Sequence, residues 1–112
     1  MQNLLDKKCI PCEGGIIPLT ADEIEKYLTQ VPGWEVLDNK KIRREFQFKD
    51  FEQAMIFINK VADLAESEGH HPDMYLHDWN RVRIKISTHA INGMTENDFI
   101  LAAKINKLNH KL

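Results

Sequence analysis

The chain has 112 residues, 43% of them hydrophobic and 29% charged, a size and balance that fit one domain able to bury its own core without metal or disulfide support. A formal charge of −2 and a pI near 6.2 exclude any general demand for nucleic acid or an acidic membrane as partner. No apolar run approaches the roughly 18 residues of a membrane span, and the first residues, "MQNLLDKKCIPC", lack the long apolar region of a signal peptide, so a cytoplasmic protein is expected.

Residues 1–18 read as an N-terminal extension and 19–112 as the domain proper. Cys9 and Cys12 form one C-x-x-C, but a structural zinc usually takes two such pairs, and a thioredoxin-like motif follows a strand and opens a helix. Here Lys7 and Lys8 precede the pair and "EGGIIP" follows it, so both cysteines are expected in a peripheral segment.

Three short polar residues then resemble helix caps: Thr20 with Glu23, Asp50 with Gln53, and Thr95 with Asp98. After the first, Ile24, Tyr27, Leu28 and Val31 keep helical spacing until "PGW" at 32–34. After the second, Phe51, Met55, Ile58, Ala62 and Ala65, widened by Ala54 and Val61, form a stripe ending at Gly69. After the third, Leu101, Ile105, Leu108 and Leu112 repeat the spacing. Between the helices the period becomes two. Ile42, Phe46 and Phe48 alternate with charged or polar neighbours, although Arg44 interrupts the apolar side, and Val82, Ile84 and Ile86 alternate with Arg81, Arg83, Lys85 and Ser87. With Trp34–Leu37 and Met74–His77 as partners across turns at "DNK" and "HDWN", the expected fold is α+β: a single α-β-β-α-β-β-α domain whose four-stranded antiparallel sheet is covered on one face by three helices.

Four of the five histidines lie between residues 68 and 89. Strand alternation puts His89 on the side of Arg81, Arg83, Lys85 and Ser87, opposite the apolar positions. His70 and His71 follow the second helix, and Pro72 holds His71 extended. If that loop lies beside the end of the last strand, three imidazoles converge, and an imidazole can donate or accept a proton near neutral pH, contributing about 10²- to 10⁴-fold to a rate. A zinc site is the competitor, but adjacent side chains in an extended segment point apart, which disfavours a shared ion for His70 and His71. His77 and His110 read as surface residues. A solvated turn beside proline is the plainer alternative for the pair, so the residues alone reach an acid/base pocket without naming a substrate.

The ordered set "HHPDMYLHDWNRV", "STH" at 87–89 and "NGMTENDF" at 92–99 closely resembles the pterin-4a-carbinolamine dehydratase family, with Glu66, His70, His71, Pro72, His89 and Asp98 at matching positions and the likeness running from about Leu19 to Leu112. The resemblance implies dehydration of 4a-hydroxytetrahydropterin, the product of aromatic amino acid hydroxylases, to quinonoid dihydropterin, with no cofactor and no metal. It implies His71 and His89 as the main acid/base groups, His70 assisting, Glu66 orienting the histidine loop, and backbone around Pro72 and from Ser87 through Thr88 to Ala90 holding the flat ring. Asp98 reads as a helix-cap partner. Family members form homodimers or homotetramers, and some act as dimerisation cofactors of a transcription factor, so a non-catalytic interaction module is the alternative function. The basic row Arg81, Arg83, Lys85, Lys41 and Arg43 reads as a solvated sheet face, since interleaved aromatics are missing.

Overall fold

The structure, a computed structural model, describes residues 3–10 and 16–110, so the expectations for Cys12 and Leu112 lie outside the described residues, as does the side chain of His110. A 3-10 turn, Leu4–Asp6, precedes α1 (Ala21–Leu28), β1 (Glu35–Leu37), β2 (Lys41–Gln47), α2 (Phe51–Glu68), β3 (Asp73–His77), β4 (Arg81–Ile86), a second 3-10 turn, His89–Ile91, and α3 (Glu96–His110).

The three caps are all used, each differently. Thr20 Oγ1 accepts from the Glu23 N–H at 3.2 Å while Glu23 Oε1 accepts from the Thr20 N–H at 2.9 Å, a complete box. Asp50 makes the forward arm, accepting from the Gln53 N–H at 2.9 Å. At α3, Thr95 Oγ1 accepts from Asn97 rather than Asp98, and Asp98 Oδ2 accepts from the Thr95 N–H at 2.9 Å.

Both expected hairpins form, and β2 pairs with β4 to give an antiparallel sheet in the order β1-β2-β4-β3. Each hairpin turn carries two successive residues at positive φ, Asp38–Asn39 and Asp78–Trp79, the backbone sense that matches strand twist. The core face carries Ile42, Phe46, Val82, Ile84 and Ile86, all buried. Arg44 also points to this side. Its Nη1 donates to Asn106 Oδ1 at 2.6 Å and to the Pro32 carbonyl at 3.1 Å, and its guanidinium lies 4.5 Å from the Phe46 ring centroid. Loss of hydration there lowers its pKa. Gly33, at φ +89°, leaves room for this side chain, because a Cβ there would sit 2.7 Å from Arg44 Nε.

Two packing expectations are corrected. The buried face of α2 is Ala54, Phe57, Val61 and Ala65, whereas Phe51 is exposed and Met55 and Ala62 are half-buried. Phe57, outside the expected stripe, packs its ring 4.8 Å from Phe46 and 4.9 Å from Phe48, and this aromatic anchor sets the rotation of the helix. The N-terminal segment is likewise not peripheral as far as it is described: Leu4 and Cys9 belong to the core, and the first 3-10 turn packs on α3. That contact, with α1 and α2 on other sides, buries the consecutive residues Phe99, Ile100, Leu101 and Ala102, so α3 is apolar on more than one stripe.

The opposite sheet face is polar. His77, expected as a surface residue, is instead half-buried there, hydrogen-bonded to Glu45 and, at 3.0 Å, to Asp78, and stacked on Tyr75 with ring centroids 5.1 Å apart. Burial raises the Glu45 pKa, but hydrogen bonds from Arg83 and His77 outweigh it and hold the carboxyl below its usual range.

Candidate active site

α2 ends in Gly69, at φ 65°, whose left-handed backbone lets the His70 N–H reach the Ala65 carbonyl at 3.3 Å and the Gly69 N–H reach that of Glu66 at 3.4 Å. This closure aims His70 at the start of α3. The imidazole is 12% exposed, and its Nε2 donates to Asp98 Oδ1 at 2.7 Å. His71 turns the other way: its Nε2 donates to Glu66 Oε1 at 2.6 Å in solvent. Because a carboxylate can only accept, each contact selects the Nε2–H tautomer of a neutral ring and leaves Nδ1 with the lone pair. The two imidazoles thus address different carboxylates, in keeping with the expectation that they point apart.

On the facing side, regular pairing of β4 stops at Ile86. Thr88 bridges to Gly93, its N–H donating to the Gly93 carbonyl at 2.9 Å, and the 3-10 turn His89–Ile91 bulges out between them. His89 is therefore presented by this turn, not by the strand pleat from which its side was expected; the pleat ends because the chain folds back to pair Thr88 with Gly93. Both His89 and Ala90 are exposed.

These pieces meet in one cleft of about 220 Å³. His70, His71 and His89 line it together with Ser87, Thr88 and Ala90, and Gly69, Asn97 and Ile10 complete the wall among the described residues. Glu66 and Pro72 are not among these lining residues; Glu66 reaches the cleft only through His71. A second hollow of about 170 Å³ shares Ser87, Thr88 and His89 and is edged by Lys41, Asp73 and Asn92. Among the described residues no group of three or more His, Cys, Asp or Glu is placed to hold a metal ion.

Sequence reasoning undervalued Asp98. It is wholly buried and ties three elements together, accepting from His70 of the α2 exit, from the Thr88 hydroxyl at 2.8 Å and from the Thr95 N–H. Extending the Leu101–Ile105–Leu108 stripe back one turn lands on Asp98, and a carboxylate on the apolar side of a helix was the available signal. Asn97 and Ile10 were also missed, for lack of any pattern linking residue 10 to this end of the domain.

This arrangement offers ionisable imidazoles and hydroxyls beside a smaller apolar share, which suits proton transfer on a small polar ring system. The model of the family described as pterin 4 alpha carbinolamine dehydratase matches residues 17–108. A Rubrobacter xylanophilus protein named for the same dehydratase is 46% identical over 108 residues, covering 96% of this chain and 100% of that one. The Arabidopsis thaliana protein pterin-4-alpha-carbinolamine dehydratase 2, mitochondrial, is 47% identical, covering 96% of this chain and 60% of its own length. Among solved structures, a transcriptional coactivator/pterin dehydratase from Brucella melitensis superposes with a TM-score of 0.76 at 38% identity, over 82% of this chain and 98% of that one. A pterin dehydratase-like RuBisCO assembly factor of the alpha-carboxysome, at 21% identity and TM-score 0.59, shares the fold alone. The chain belongs to the pterin 4 alpha carbinolamine dehydratase family and is an enzyme of the hydro-lyase class.

Proposed function

We propose that the chain converts 4a-hydroxytetrahydropterin to quinonoid dihydropterin by histidine acid/base catalysis, with His71 and His89 moving protons and His70 assisting. The observation that carries this reading is the convergence of His70, His71 and His89 on one cleft. Hydroxide is a poor leaving group. One imidazolium donates a proton to the 4a-oxygen, the C4a–O bond breaks to release water, and a neutral imidazole takes the N5 proton as the C4a–N5 double bond forms. Ser87, Thr88 and Ala90 at the end of β4 flank the space for the flat ring, and Glu66 and Pro72 fix His71. The substrate arises from pterin-dependent hydroxylation of an aromatic amino acid, and the product returns to tetrahydropterin by reduction, in the cytoplasm and in a homodimeric or homotetrameric enzyme.

The decay of 4a-hydroxytetrahydropterin, generated by a hydroxylase and followed by ultraviolet absorbance in the presence of a chelator, tests this. Acceleration by wild type and loss of about 10²-fold or more in His71→Ala and His89→Ala is expected. Wild-type rates in either folded variant would remove that residue from the mechanism.

A second reading, an interaction module, is favoured by Tyr75 and Trp79, which are exposed on and beside β3 at the open sheet edge. It predicts self-association or partner binding without dehydration. A monomer at all concentrations in light scattering would count against it.

A further inference from the structure

Ile10 is 68% exposed, yet it is not loosely held. Its N–H donates to Asn97 Oδ1 at 3.0 Å and its carbonyl accepts from Asn97 Nδ2 at 2.6 Å, so one buried amide side chain grips both backbone groups of the residue. Immediately before it, the Cys9 N–H donates to Glu68 Oε1 at 2.9 Å, and Cys9 Sγ lies 3.5 Å from the Asn97 carbonyl. Lys7 pairs with Glu96 at 2.7 Å. The N-terminal strap is thus pinned to the same two helix ends that carry the catalytic cleft: Glu68 stands two residues before His70, and Asn97 adjoins Asp98.

The result is a backbone held by hydrogen bonds at both its N–H and its carbonyl, with an exposed aliphatic residue at a wall made mostly of imidazoles, hydroxyls and an amide. Ile10 and Ala90 are the aliphatic side chains of that wall among the described residues. Polar groups can read the edges of a flat heterocycle, but its faces and any carbon substituent gain from apolar cover. The family-model match begins at residue 17, whereas the Rubrobacter xylanophilus relative aligns over 96% of this chain, so the strap is shared with full-length relatives.

We infer that Ile10 is a substrate-binding residue, and that the N-terminal strap completes the pterin cleft by laying this side chain against the ring system and its C6 substituent. The inference rests on the dehydratase reading. Ile10 touches the non-reacting part of the substrate and binds ground state and transition state alike, so its effect falls on KM and leaves kcat unchanged.

The test is steady-state dehydration by the full chain and by Ile10→Ala, Ile10→Asp and Ile10→Leu, using substrates with a methyl or a dihydroxypropyl group at C6. Ile10→Ala should raise KM about 3- to 10-fold, the effect of uncovering two or three methylene equivalents in a half-open site, with kcat within about twofold. Ile10→Asp should raise it further, Ile10→Leu should restore it, and the ratio of kcat/KM for the two substrates should change. Melting temperatures should not move, because the side chain packs little on the fold. A wild type that dehydrates both substrates while Ile10→Ala keeps its KM would overturn the inference alone. An inactive wild type would overturn the dehydratase reading and this inference with it.

Discussion

Asp98 and His70 join the start of α3 to the exit of α2 through a single 2.7 Å contact between Oδ1 and Nε2. The other carboxylate oxygen is occupied as well, by the Thr88 hydroxyl and the Thr95 N–H. Three donors therefore converge on a side chain with no exposed surface, and only an acceptor at both oxygens satisfies them. Asp98→Asn supplies one acceptor and one NH₂ group. Either His70 must turn to its other tautomer, or Thr88 and Thr95 face a donor. Dehydration should fall about 10- to 100-fold and stability by about 1–3 kcal/mol, in a protein that still folds. Unchanged kcat in the asparagine variant, measured beside its urea melt, would show that the contact only caps the helix.

Cys9 is 7% exposed and its thiol is pushed up to about 12, chiefly by burial and then by the neighbouring Glu68 carboxylate. The thiolate, the nucleophilic form, is thus suppressed at neutral pH. Peptide mapping after iodoacetamide treatment at pH 8 should find Cys9 unmodified in the native protein and fully alkylated in denaturant. Rapid native labelling would contradict the burial of the strap and would reopen redox chemistry for the C-x-x-C.

Much of the fold could be read from local chemistry. Thr20, Asp50 and Thr95 announce helix starts because unpaired backbone donors need an oxygen there, and the alternation through Val82, Ile84 and Ile86 survives because one sheet face is open. The histidines were legible as a cluster because two loops that meet in space each carry them. What escaped did so for different reasons. Leu4 and Cys9 enter the core from a segment without helical or strand spacing, whereas Phe57 keeps helical spacing with Ala54, Val61 and Ala65 and won the α2 face through Phe46 on β2 and Phe48 just beyond it. Asp98 looked like a cap because it is one; its second bond depends on where α2 ends.

Acid should weaken the anchorage of the strap. For Glu68, burial raises the pKa, but hydrogen bonds from Lys104 and the Cys9 N–H outweigh it; for Glu96, Lys7 and Tyr27 do the same, and both carboxyls end below their usual range. A lowered folded pKa means that these groups stabilise the native state above the usual carboxylate range, and that the contribution is lost as pH falls through the lowered values. Urea melts between pH 7 and pH 3 should therefore decline less steeply in Glu68→Gln than in wild type, with the difference vanishing at the acid end. Parallel curves would mean that Glu68 titrates alike in both states.

Asn106 holds the other unusual polar group on the core face. Its Oδ1 accepts from Trp34 Nε1 at 2.8 Å and from Arg44 Nη1 at 2.6 Å, while its Nδ2 donates to the Pro32 carbonyl at 3.1 Å. One amide thus closes the turn after α1 against β2 and α3. Asn106→Leu fills similar space but provides no acceptor, which strands the indole N–H of a buried tryptophan and leaves Arg44 with the Pro32 carbonyl alone. A loss of about 2–4 kcal/mol is expected from two unmet donors, one of them charged. The double variant Arg44→Met with Asn106→Leu removes the charged donor as well and should recover part of that loss, because a desolvated guanidinium without its acceptor costs more than an apolar side chain in the same place. If urea melts show the double variant to be no more stable than Asn106→Leu, the cost lies in the tryptophan bond and in packing, and Arg44 reaches water freely enough not to need Asn106.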